Sequence, residues 1–144
     1  MKKLIILFAA ILLGVTTTFA QDPIVYVTWD DQNCYCVPNA AVDYFKVTFS
    51  IYDNANSTWV ISNTTYETDD TVDEYLYITV SEMLDYCHDS HPNTPSFTVT
   101  ATVWYMLGTP DPDEECCTGS TSLSADCRDF ETGDQFNVPV GNLN

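Results

Sequence analysis

Apolar and polar residues alternate most regularly over 97–106. Phe97, Val99, Ala101, Val103 and Tyr105 fall on one side at a period of two, and Thr98, Thr100, Thr102, Trp104 and Met106 on the other. Such alternation predicts a strand with one face in a core. Pro95 and Gly108 bracket it, as strand punctuation does. It is expected at the centre of an antiparallel sheet. The pattern recurs over 43–52, with Phe45, Val47, Phe49 and Ile51 inward and Tyr44, Lys46, Thr48, Ser50 and Tyr52 outward. Asp53-Asn54-Ala55-Asn56 reads as a turn. A short strand at 57–62 would then complete a hairpin.

Further strands are predicted at 24–29, 72–80, 122–130 and 135–140, with a short edge strand at 63–67. Within 72–80, Val72, Leu76, Ile78 and Val80 share one face, and Tyr75, Tyr77 and Thr79 the other. Ser81 is placed to cap one or two helical turns over 82–87. Residues 109–119 carry two prolines, four acidic residues and two cysteines, and are expected to form a long acidic loop. Short strands with turns at roughly ten-residue spacing predict an all-β, antiparallel β-sandwich. The short helical turn between two strands resembles the immunoglobulin-like architecture. That architecture has a Tyr-x-Cys corner, whereas Tyr86 and Cys87 are adjacent here.

The N-terminus changes the picture of where this domain resides. Met1-Lys2-Lys3 precedes an apolar run to Val15 and then Ala20, the pattern of a secretory signal peptide. A cut after Ala20 leaves one domain, 21–144, expected to be secreted or periplasmic. The apolar run falls short of the about 20 residues of a membrane span, so no membrane insertion is expected.

Past the signal, only Lys46 and Arg128 are basic, against 21 carboxylates. Such a surface repels nucleic acid and anionic lipid heads. It favours cations, a cationic partner or a saline medium. Six cysteines follow the signal: Cys34, Cys36, Cys87, Cys116, Cys117 and Cys127. An even number in an exported chain predicts disulfides, three in all. Close neighbours make poor partners on geometric grounds. The pairs 34/36 and 116/117 are therefore expected to bond to each other and to Cys87 and Cys127, with the connectivity open.

Candidate chemistry is sparse. Cys87-His88-Asp89-Ser90-His91 gathers a thiol, two imidazoles and a carboxylate, but adjacency does not supply nucleophile–base geometry. Calcium is the one cofactor worth testing. Asp111, Asp113, Glu114 and Glu115 concentrate oxygen ligands, as do Asp69-Asp70 and Asp73-Glu74. The first set lacks the glycine and closing glutamate of a helix-loop-helix site. No nucleophile elbow, phosphate loop or dinucleotide fingerprint occurs. Aromatic residues on strands offer a recognition surface, with Trp59, Tyr77 and Trp104 the named candidates. The expected function is non-enzymatic binding or adhesion to an extracellular protein, a glycan or a cationic partner. The alternative is a structural subunit that self-assembles, using 22–29 for β-strand addition.

Overall fold

The computed structural model describes residues 21–34, 44–69, 74–89, 96–108 and 114–144. The predicted signal peptide, Cys36, Asp111 and Asp113 lie outside the described residues. The elements are β1 (Ile24–Asp30), β2 (Tyr44–Asp53), β3 (Thr58–Asp69), β4 (Tyr75–Thr79), α1 (Glu82–Asp89), β5 (Phe97–Leu107), β6 (Glu114–Ala125) and β7 (Gln135–Asn142), with a 3₁₀ turn at Cys127–Phe130. The strands form a three-stranded sheet, β4-β1-β7, and a four-stranded sheet, β3-β2-β5-β6.

Alternation built these strands as the residue pattern requires. Phe45, Val47, Phe49 and Ile51 of β2 and Phe97, Val99, Ala101 and Val103 of β5 are buried. Val25, Val27 and Trp29 of β1, Ile78 of β4 and Val138 of β7 join them in one cluster drawn from both sheets. β5 lies inside its sheet, hydrogen-bonded to β2 on one side and β6 on the other. The 43–62 hairpin forms through β2 and β3, and α1 follows Ser81 where a cap was expected.

Four features differ from the pattern. Residues 63–67 are not a separate edge strand, because β3 runs unbroken to Asp69 and absorbs its extra residues in two irregularities opposite 49–52. Glu114 to Gly119 are not loop but the first half of β6, with Glu114 and Glu115 opposite Leu107 and Met106. An edge strand tolerates such charges because one side faces solvent. The strand expected at 122–130 ends at Ala125. Asp126 accepts from the Arg128 amide at 2.8 Å, and Asp129 accepts from the Asp126 amide at 2.8 Å, a reciprocal cap that starts the 3₁₀ turn. Finally, the sheets are not wholly antiparallel. β7 returns from the other sheet through the 3₁₀ turn and lies parallel to β1.

β1 is therefore paired on both sides, to β4 and to β7. Within this fold, 22–29 is not a free strand for a neighbour.

Two disulfides pin the arrangement. Cys34, just past β1, bonds to Cys117 in β6, and Cys87 of α1 bonds to Cys127 of the 3₁₀ turn. Cys116 is disulfide-bonded as well. The Cys34–Cys117 and Cys87–Cys127 bridges span 83 and 40 residues, and each contributes about 2–4 kcal/mol, largely by restricting the unfolded chain. The C-terminal end of β7 crosses β6 at Gly119. There a Cβ would stand 2.8 Å from Leu143 Cδ2 and 2.9 Å from Val140 Cγ1, so the position accepts no side chain without repacking.

Asp53 is fully buried, yet its carboxylate is saturated. It accepts from the Ala55 amide (2.7 Å), the Asn56 amide (3.2 Å), Asn56 Nδ2 (2.7 Å) and the Tyr86 hydroxyl (2.7 Å). One side chain thus closes the β2–β3 turn and fastens α1 to it. Burial works to raise its pKa, but the hydrogen bonds from Tyr86, Asn56 and Ala55 outweigh burial and hold the carboxyl below its ordinary value. We expect Asp53→Ala to cost about 2–3 kcal/mol in equilibrium unfolding. The native carboxylate's contribution is complete above the unfolded value of 3.8 and is lost as pH falls through the lower folded value. Urea denaturation between pH 2 and 5 should show that loss in the native chain and a smaller one in Asp53→Asn.

Candidate functional site

The outward side of the three-stranded sheet is an ordered array. Inward Val25, Val27 and Trp29 leave Ile24, Tyr26, Thr28 and, at the strand's end, Asp30 on the outer side of β1. The register sets Tyr26 beside Tyr77, Thr28 beside Tyr75 and Ile24 beside Thr79 on β4. On the other flank it sets Ile24 beside Gln135, Tyr26 beside Asn137 and Thr28 beside Pro139 on β7. Pro139 has no N–H to give a ladder and fits because β7 is an edge. These nine residues form three uncharged rows of three, and the face turns acidic beyond them, at Asp30 beside Asn142.

Three tyrosines gather on this face. Tyr26 and Tyr77 stack at 4.7 Å between ring centres and 23° between planes. Tyr75 lies 5.4 Å from Tyr26 and meets Tyr77 edge-on at 5.3 Å. Such ring pairs add about 0.5–1.5 kcal/mol beyond area burial. Tyr77 nevertheless remains 53% exposed, so part of its ring surface faces solvent. Beside the rings, Gln135 Nε2 donates to Asn137 Oδ1 at 2.9 Å.

The other predicted aromatic positions lie on the opposite sheet. Trp59 is 54% exposed and meets Tyr52 edge-on at 4.8 Å. Trp104 is half-buried, with Lys46 Nζ 5.6 Å from its ring centre, a cation–π arrangement. Tyr52 and Lys46 are six residues apart on β2, about 20 Å, so Trp59 and Trp104 share a face without forming one site. Between them lie paired hydroxyls, Thr100 with Ser122 and Thr102 with Ser120, each at 2.9 Å.

Glu114 and Glu115 are exposed at the start of β6, while Asp111 and Asp113 lie outside the described residues. A different carboxylate group converges: Asp30 at the end of β1, Asp31 just after it and Glu74 before β4 present oxygens within 4.8 Å of one another. The Trp29 amide donates to the Glu74 carbonyl at 3.1 Å, which holds the segments together. Burial, then a hydrogen bond with Asp31 and the charges of Asp31 and Asp30, push the Glu74 carboxyl above its ordinary pKa. These are the residues that could hold a hard cation. The second close group, Cys34, Cys116 and Cys117, has its sulfurs committed to disulfides.

Cys87 is oxidised, so it offers His88 no thiol. A groove of about 610 Å³ runs beside that disulfide between α1 and the 3₁₀ turn, lined by residues that include Asp85, His88, Arg128 and Glu131. Arg128 is already forked onto Asp126 through Nε and Nη2. His91 lies outside the described residues.

No protein-family model, no curated protein and no solved structure matches the chain.

Sequence reasoning named Tyr77 and missed its neighbours as a group. The period-two pattern put Tyr75 and Tyr77 on one face, but Gln135 and Asn137 carried no signal before the β1–β7 register was known. Asp30 and Asp31 read as the end of a strand, far in sequence from Glu74.

Glu74→Gln should raise the melting temperature by a few degrees near neutral pH. A raised acid pKa means that native stability falls as pH rises through it, and glutamine mimics the protonated form. The gain should shrink toward pH 4, which differential scanning calorimetry of both chains across that range will read.

Proposed function

We propose that the chain is a non-enzymatic, exported binding or adhesion module whose recognition surface is the tyrosine face of the three-stranded sheet. The carrying observation is three successive uncharged rows, Ile24 to Thr28 with their neighbours on β4 and β7, in a chain with 21 carboxylates; the face turns acidic at Asp30, the end of β1. Charged residues are depleted and aromatics enriched at the centres of recognition surfaces. The disulfides suit an oxidising compartment, and no helix of the described residues is long and apolar enough to cross a membrane.

The framework behind this reading is an immunoglobulin-like sandwich. β1 to β6 follow the order of strands B, C, C′, E, F and G. β4 lies antiparallel to β1 as E lies to B, and β3-β2-β5-β6 reproduces C′-C-F-G. α1 occupies the E–F connection. β7 takes the flank of β1 that strand A takes in that architecture. The disulfides depart from it, since neither joins the B and F positions.

The test is retention on extracellular surfaces. Tyr77→Ser should weaken saturable retention on cell-surface and matrix preparations at least tenfold, about 1.4 kcal/mol, with the melting temperature changed by only a few degrees. Trp59→Ser, on the opposite sheet, should leave retention unchanged. Retention lost in Trp59→Ser but kept in Tyr77→Ser would move the site to the other face. No saturable retention by the native chain would remove the binding reading.

A further inference from the structure

We propose that the tyrosine face binds a neutral glycan chain; this rests on the binding reading above and names its ligand.

Size argues first. The array spans three strands and five residues along each, about 10 by 14 Å from strand spacing and rise. A stable protein interface buries about 800 Å² per partner, several times this uncharged patch. A protein partner would have to extend over acidic surroundings. A few sugar rings lying flat on an open sheet need no more than the patch itself.

Charge argues second. Anionic polysaccharides, whether uronates or sulfate esters, meet a domain with two basic side chains against 21 carboxylates. Lys46 sits on the other sheet, and Arg128 is committed to Asp126. Cationic polymers would be held at the end of the sheet where Asp30, Asp31 and Glu74 converge, rather than along the three uncharged rows. A neutral ligand alone loses nothing by sitting on an uncharged patch.

The chemistry of the side chains argues third. The C–H faces of pyranose rings pack on aromatic rings, and the exposed part of Tyr77 supplies such a surface. Sugar hydroxyls both donate and accept. The Gln135–Asn137 hydrogen bond uses one donor of Gln135 and the acceptor of Asn137. It leaves the Asn137 NH₂ as donor and the Gln135 carbonyl as acceptor, next to Tyr26 and Ile24 in the register. The two amides thus lie beside the rings, with the donor and acceptor that uncharged polyols require. The pairing of Asn137, Tyr26 and Tyr77 in a single row places the amide and the rings under one extended chain.

The test is affinity electrophoresis of the exported chain, disulfides intact, in gels containing a neutral glucan, a neutral mannan, a neutral xylan, a polyuronate or a sulfated galactan. We expect retardation by at least one neutral polymer and by neither anionic one. Raising NaCl from about 0.05 to 0.5 M should change the dissociation constant less than twofold, because no charge pair is screened. Tyr77→Ser should weaken binding at least tenfold. Asn137→Ala, exposed on an edge strand and safe for folding, should weaken it about threefold or more. Trp59→Ser should have no effect. Retardation by no neutral polymer, preference for an anionic one, or native-strength binding by both Tyr77→Ser and Asn137→Ala would overturn the inference. Should Tyr77-dependent retention on cell surfaces persist but vanish when those surfaces are treated with protease, the ligand is a protein; the glycan inference then fails while the binding reading stands.

Discussion

The pairing of β1 on both flanks is the constraint from which the rest follows. One side of β1 sends Val25, Val27 and Trp29 into the shared core. The other side seats Tyr26 between Tyr77 and Asn137. Without β7 the three-stranded sheet would be a two-stranded ribbon, marginal in water, and its outer face would lose its amides. Without β4 it would lose two of its three tyrosines. The parallel docking of β7 therefore serves core and surface together. Gly119 allows this, since the end of β7 and Leu143 after it lie close against β6 there. The Leu143 amide reaches back to the Asp30 carbonyl at 2.9 Å, and Thr118 and Asn144 exchange backbone hydrogen bonds at 3.1 Å.

Charge imposes the second constraint. With two basic partners for 21 carboxylates, most acids cannot be neutralised by ion pairs and must stay hydrated. Buried Asp53 is stabilised by four hydrogen bonds from neutral donors. Where three acids converge at Asp30, Asp31 and Glu74, the result is a proton held above the ordinary range. Repulsion elsewhere is opposed by covalent links rather than salt bridges. Cys34–Cys117 ties the connection leaving the three-stranded sheet to the edge of the four-stranded one. The uncharged face is notable against this background because its composition departs from that of the surface around it.

Much of the fold was legible in the residues. Period-two alternation located β2, β4 and β5 and assigned their inward faces, because burial on one side of a pleated strand selects for apolar residues at every second position. The start of α1 after Ser81 and the turn after Asp53 were legible for local reasons as well. The first half of β6 was not, since prolines and acids before Cys116 imitate a loop, and only pairing with β5 makes that stretch a strand. Of the candidate site, Tyr77 was visible as an outward aromatic. Its partners were not, because Tyr26, Tyr77 and Asn137 come from strands about 50 and 60 residues apart, and no local pattern encodes which strands become neighbours.

The sequence by itself determined the all-β class, the alternation that sorts side chains into core and surface, the strongly acidic surface and the cysteines available for bridging. These are properties of single residues and their near neighbours, set by hydrophobicity, charge and backbone preference. Only the tertiary structure decided that β7 runs parallel to β1, that Cys34 meets Cys117 and that the carboxylates of Asp30, Asp31 and Glu74 converge. It alone decided that three tyrosines and two amides lie together in three uncharged rows of one face. Each of these depends on strand order and register, which are chosen by how the whole core packs, and a pattern of period two is satisfied equally by many pairings.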